Sequence, residues 1–118
     1  MATTIDESID EPATIAGFRA GWHPGPPAEV YAHGELDMST SDVLGAALAE
    51  ACAHGAHPAI LDLSGTTFID AYSMRLLAGW AARGCCPEGV RDLRVVGATA
   101  FVARVLRLAG LGHLLAAS

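Results

Sequence analysis

Hydroxyl and carboxyl side chains crowd one short stretch, LDLSGTTFIDAYSMRLL, from Leu61 to Leu77: Ser64, Thr66 and Thr67 precede Asp70, and Tyr72 and Ser73 follow it. Such residues could supply a nucleophile, a phosphorylation switch, or a polar surface read by another protein. A serine nucleophile on a strand-to-helix elbow needs glycine two residues to either side, with a histidine and an acid in support. Neither LDLSGTT around Ser64 nor DAYSMRL around Ser73 has that frame. Four of the five histidines fall at turns or element ends, where exposed loop histidines are expected. No nucleophile–base pair can be assembled, so the chain reads as a non-enzyme.

The next cluster able to do chemistry is CAHGAH, in which Cys52, His54 and His57 offer three metal-ligating types. Structural zinc wants four ligands in paired spacing, and no second pair exists, so a chance cluster at a helix end is the better reading. Neither GxxxxGK[ST] nor a strand-following GxGxxG occurs, so no phosphate-cradling loop is expected. No cofactor is implied.

Charge and hydropathy narrow the partners. The 118 residues form one domain, with residues 1–12 as an acidic tail and 13–118 as the folded unit. A net charge of −6, with seven scattered arginines and no lysine, lacks the clustered basic side chains that nucleic acid or a polybasic membrane anchor demands. No run of about twenty apolar residues exists to span a bilayer. MATTIDESIDEP lacks the layout of a signal peptide, which points to the cytoplasm. The odd count of three cysteines, with Cys85 and Cys86 adjacent, suggests reduced thiols.

The elements that position these residues follow from periodicity. ATIAGFRAGW, from Ala13 to Trp22, roughly alternates and reads as a strand with Ile15 and Phe18 inward. HPGPP makes a turn, and AEVYAHGEL is the antiparallel partner strand. A helix follows, capped by Ser39 or Thr40, with Asp42 in its first turn, a stripe of Val43, Leu44, Ala47, Leu48 and Ala51, and Gly55 as its stop. AILDL reads as a short strand covered on both faces. A turn then leads to a second helix after Asp70, with Met74, Leu77, Ala78 and Ala81 on one face and an end near Gly84. DLRVVG is a strand, and ATAFVARVLRLAG a third helix with Phe101, Val105 and Leu108 inward. The order β-β-α-β-α-β-α implies an α/β fold: a mixed sheet opened by an antiparallel hairpin and continued by parallel crossovers, with helices mainly on one face.

Within that frame Asp70 stands where a strand passes to a helix, placed to cap the amides of Tyr72 or Ser73. A helix N-terminus also tolerates negative charge, so a phosphorylated hydroxyl there would make a good switch.

Three segments together, VYAHGELDMSTSDVLGAAL, AILDLSGTTFIDAYSMRLL and LRVVGATAFVARVLRLAGL, resemble a STAS domain of the anti-anti-sigma factor (anti-sigma factor antagonist) family over about residues 13 to 115. Gly34–Asp37 and the Asp62–Asp70 element carry the likeness in combination. The resemblance implies a binding surface for an anti-sigma factor with a serine-kinase fold, which in the family phosphorylates the serine directly after the aspartate and so releases the complex. Here the family's Asp-Ser-Ser-Gly becomes Asp70, Ala71, Tyr72, Ser73, and the acceptor position holds only a methyl group. Ser73 is the low-ranking substitute acceptor, with Tyr72 below it. Two steps of about 100° turn Ser73 away from Ala71, toward the core or the Asp70 cap.

The expected partner-binding surface therefore comprises Asp37, Met38 and Ser39 after the second strand, with Phe68, Ile69, Asp70, Ala71, Tyr72 and Ser73 around the helix start. Tyr72 is a residue type that often anchors interfaces. Alternatives are a STAS scaffold or assembly subunit of a transporter or stress-signalling complex, and a small-ligand sensor. A homodimer is left open.

Overall fold

The computed structural model describes residues 13–15, 17–25, 27–54, 60–83 and 93–115. Their elements run β1 (Ala13–Ile15), β2 (Phe18–His23), β3 (Glu29–Leu36), α1 (Ser41–Ala53), β4 (Ile60–Ile69), α2 (Ala71–Arg83), β5 (Arg94–Val96), α3 (Ala100–Leu108) and a 3-10 turn at Gly112–Leu114. The five strands form one sheet in chain order. β1–β2 and β2–β3 are antiparallel, whereas β3–β4 and β4–β5 are parallel. Each parallel pair is bridged by a helix, as crossover geometry requires.

Two expected strands change shape. The first splits into β1 and β2, because Gly17 adopts φ +80° and turns the chain back on itself. Phe18 is buried as expected, while the side chain of Ile15 lies outside the described residues. The strand expected over AILDL continues to Ile69, absorbing the turn expected before the second helix. Thr66 explains part of that extension: it is fully buried and its hydroxyl donates to Ala32 O at 2.8 Å, tying β4 to β3.

Nor is β4 covered on both faces. Leu61 and Leu63 are buried while Ile60 and Asp62 are only half-buried, the alternation of a sheet with one packed side. Phe18, Ala20, Val30, Ala32, Leu61, Leu63 and Val95 from the strands join Leu44, Leu48, Leu77, Val102 and Leu106 from all three helices in a single core. The opposite face carries Arg19, His23, Glu29, Tyr31, His33 and Asp62 around a polar hollow of about 370 Å³.

The helices follow the sequence reading in two cases out of three. In α1, Leu44, Ala47, Leu48 and Ala51 are buried and Val43 half-buried; its expected stop, Gly55, lies outside the described residues. In α2, Leu77 is buried with Met74, Ala78 and Ala81 packed on the core edge. In α3 the expected face is wrong: Val102, Ala103 and Leu106 are buried, while Phe101 is 51% and Leu108 77% exposed. Thr99 accepts the Val102 amide at 3.2 Å and so sets the rotational phase at the helix start. Cys52 is disulfide-bonded, against the expectation of reduced thiols. Among the described residues no helix is long and apolar enough to cross a membrane.

Candidate functional site

Parallel pairing brings the expected surface together. Because β3 and β4 run the same way, with Glu35 opposite Phe68 and Leu36 opposite Ile69, the segments leaving them emerge side by side at one end of the sheet. The amide of Asp70 donates to Leu36 O at 3.1 Å and closes this junction. A register shift at Gly34, whose φ is +112°, precedes it and aligns the two strand ends.

Asp70 does two jobs with one carboxylate. Oδ1 accepts the Ser73 amide at 2.8 Å, capping α2 at one of the two expected positions. Oδ2 accepts the Met38 amide at 3.0 Å, fastening the 37–40 loop to the helix start. Within that loop Asp37 Oδ1 accepts the Ser39 hydroxyl at 2.7 Å and the Ser39 amide at 2.9 Å. Thr40 is the N-cap residue of α1 but makes no side-chain cap. Its hydroxyl donates to Glu35 O at 2.7 Å and accepts the Asp37 amide at 2.9 Å, so it braces the loop instead.

The Ser39 hydroxyl, as the largest cause, holds the Asp37 carboxyl below its ordinary value of 3.8; the Ser39 amide and Thr40 act in the same direction and burial opposes them. A depressed carboxylate contributes order above the ordinary value and loses it as pH falls through the folded value. The loop is therefore expected to stay closed down to pH 3.8 and to loosen only below it. An NMR titration following the Asp37 carboxyl and the Ser39 amide checks this, and a common midpoint at or above 3.8 contradicts it.

The side chains of the junction divide by exposure. Met38, Ser39, Phe68, Ala71 and Tyr72 are exposed, Asp37 and Asp70 half-buried, and Ile69 buried in the core. Ser73 is 1% exposed, and its hydroxyl has no hydrogen-bond partner. A kinase cannot reach a hydroxyl so placed in the folded chain, so the substitute-acceptor expectation for Ser73 is withdrawn; helical rotation has carried it to the core side, as its angle from Ala71 implied. A buried hydroxyl without a partner costs about 1–3 kcal/mol, so Ser73→Ala is expected to stabilise the fold by about 1 kcal/mol. Urea unfolding measures it; a loss of stability would show that the hydroxyl is satisfied after all.

The structure adds residues that the sequence reading did not place here. Phe101 of α3 stacks on Phe68 with ring centroids 6.3 Å apart, extending the apolar part of the junction. A groove of about 240 Å³, lined by Ala71, Met74, Arg75, Ala78, Ala109 and Leu111, runs between α2 and the end of α3. The available signal was the apolar composition of AFVARVLRL on more than one side, which implies a second exposed stripe whichever face is buried. Of the Cys52–His54–His57 cluster, His54 Nδ1 is engaged with Glu50 O at 2.9 Å, and His57 lies outside the described residues.

Comparison with known proteins agrees with this architecture. A family model described as "Mlab, STAS domain" matches residues 23–116. The crystal structure of an anti-sigma factor antagonist from Mycobacterium paratuberculosis superposes with a TM-score of 0.68, covering 87% of this chain and 86% of that one at 21% identity, a likeness that carries the fold. A search of curated proteins finds no match. With a mixed sheet opened by an antiparallel hairpin, helices on one side, and a family match over most of its length, the chain belongs to the STAS domain family.

Proposed function

We propose that this STAS domain is a non-enzymatic, cytoplasmic protein-binding module that acts as an anti-sigma factor antagonist. It sequesters an anti-sigma factor with a serine-kinase fold and thereby regulates transcription. The contact surface is the junction of the 37–39 loop with residues 68–72, and it carries no phosphorylation switch at Ala71. The observation that supports this reading most directly is that Ala71 lies exposed in the first turn of α2, beside a braced loop and a half-buried Asp70 whose carboxylate is already occupied. A methyl group there offers no oxygen to phosphorylate, and the one nearby serine on α2 is buried.

Incubation with candidate anti-sigma kinases and ATP, followed by intact-mass analysis, tests the switch. The native chain is expected to gain no phosphate, whereas Ala71→Ser is expected to gain one, because it restores a hydroxyl at an exposed helix N-terminus. Stoichiometric phosphate on the native junction would defeat the unswitched reading. The same methyl group favours a second reading, a scaffold or assembly subunit of a transporter or stress-signalling complex, since a contact that phosphate cannot release suits a standing assembly. Recovery of transporter components and no kinase-fold protein in a pull-down would select it.

A further inference from the structure

Charge is distributed unevenly along this chain. Residues 1–70 carry eleven acidic residues and one arginine, while residues 71–118 carry six arginines and two acidic residues. Neither α2 nor α3 contains an aspartate or glutamate, and Arg75, Arg104 and Arg107 are exposed on them. The groove that begins at Ala71 is walled by α2, through Ala71, Met74, Arg75 and Ala78, and by Ala109 and Leu111 just past the end of α3. Leu108, 77% exposed, precedes Ala109 in the chain, and Phe101 lies seven residues earlier, with half-buried Val105 between them. That spacing makes an apolar stripe on the side of α3 not spent on the core. A basic, apolar, concave surface thus stands within an otherwise acidic molecule.

We infer that this groove takes an acidic amphipathic helix of the partner protein, an inference that rests on the protein-binding reading above. Apolar side chains of that helix at i, i+4 and i+7 cover the groove and the Phe101–Leu108 stripe, and its flanking carboxylates meet Arg75, Arg104 and Arg107. Charge complementarity selects the acidic partner, since like charges in apposition would oppose docking. Shape selects a helix over a bilayer, because an elongated hollow between α2 and the segment after α3 admits a rod and leaves a flat surface unfilled.

The test uses the full chain and two synthetic amphipathic helices that share one leucine stripe, flanked by glutamates in the first and lysines in the second. Fluorescence anisotropy is expected to show the acidic helix binding roughly ten-fold or more tighter than the basic one, with amide shifts centred on α2 and α3. Arg104→Glu with Arg107→Glu should reverse the preference. Leu108→Ser should weaken the acidic helix by about ten-fold without moving the melting temperature, because that side chain contributes little to the core.

Equal binding of the two helices, or none, overturns the inference. So does binding only to phosphatidylglycerol vesicles, which would make the surface a membrane contact, or concentration-dependent dimerisation abolished by Leu108→Ser, which would make it a contact between copies. If Asp6→Asn, Glu7→Gln, Asp10→Asn and Glu11→Gln together raise acidic-helix affinity ten-fold or more, the chain's own N-terminal segment is the occupant and the inference also falls. Loss of anti-sigma capture on Ala71→Glu, with no binding of the acidic helix to the native chain, would sink this inference alone. Retained capture in that variant, with the acidic helix bound by the native chain, would sink only the placement of the anti-sigma contact.

Discussion

Asp70→Ala is expected to lower stability by about 2 kcal/mol, a fall of roughly 8 °C in melting temperature for a domain of this size. Two amides lose their acceptor at once. Removing the Ser73 contact uncaps α2, and caps of this kind are worth about 1 kcal/mol. Removing the Met38 contact frees the 37–40 loop, and hydrogen bonds to a charged acceptor exceed neutral ones, which supplies the remainder. Asp70→Asn retains an oxygen for the cap and forfeits the second acceptor, so about half the loss is expected. Hydrogen exchange separates the two roles: the Met38 amide should exchange faster in both variants, and the Ser73 amide faster only in the alanine variant. A melting temperature unchanged in Asp70→Ala would show that the carboxylate does not clamp this junction. Because Asp70 carries this structural load, a charge reversal such as Asp70→Arg would confound unfolding with lost binding.

Ala71→Glu, by contrast, should leave the fold intact and weaken anti-sigma capture on the order of 100-fold. Residue 71 opens α2, where the helix dipole favours a negative charge, and its exposed side chain displaces nothing in the core. The melting temperature should therefore stay level or rise slightly. At the proposed contact, a carboxylate brings an unpaired charge into a surface otherwise formed there by a methyl group, Phe68 and Tyr72, and desolvating that charge is costly. Ala71→Gln, similar in size and uncharged, separates bulk from charge and should lose far less. Titration of a candidate anti-sigma factor against the three proteins gives the answer. Equal affinity for all three would remove residue 71 from the interface.

Much of this was readable before any coordinates. Alternation in AEVYAHGEL, the apolar run AILDL and the spacing of Leu44, Ala47, Leu48 and Ala51 specify their elements locally, because side-chain direction depends only on backbone period. The cap at Asp70 was equally local, since a capping aspartate and its amide lie three residues apart. That residue 71 carries a methyl group and no hydroxyl is a matter of residue identity alone.

What tertiary structure decided was everything set by neighbours distant in sequence. Thr66 is held in the strand where Ala32 receives its hydroxyl, not because SGTT-like segments prefer strands. Phe101, expected inward, is half exposed, because helix rotation is fixed by which apolar stripe meets the sheet, and α3 possesses two. The second acceptor role of Asp70, toward Met38 thirty-two residues away, depends on two parallel strands ending level, a fact of register that no local pattern encodes. Composition and period specify which elements form; packing selects which of their faces remains exposed.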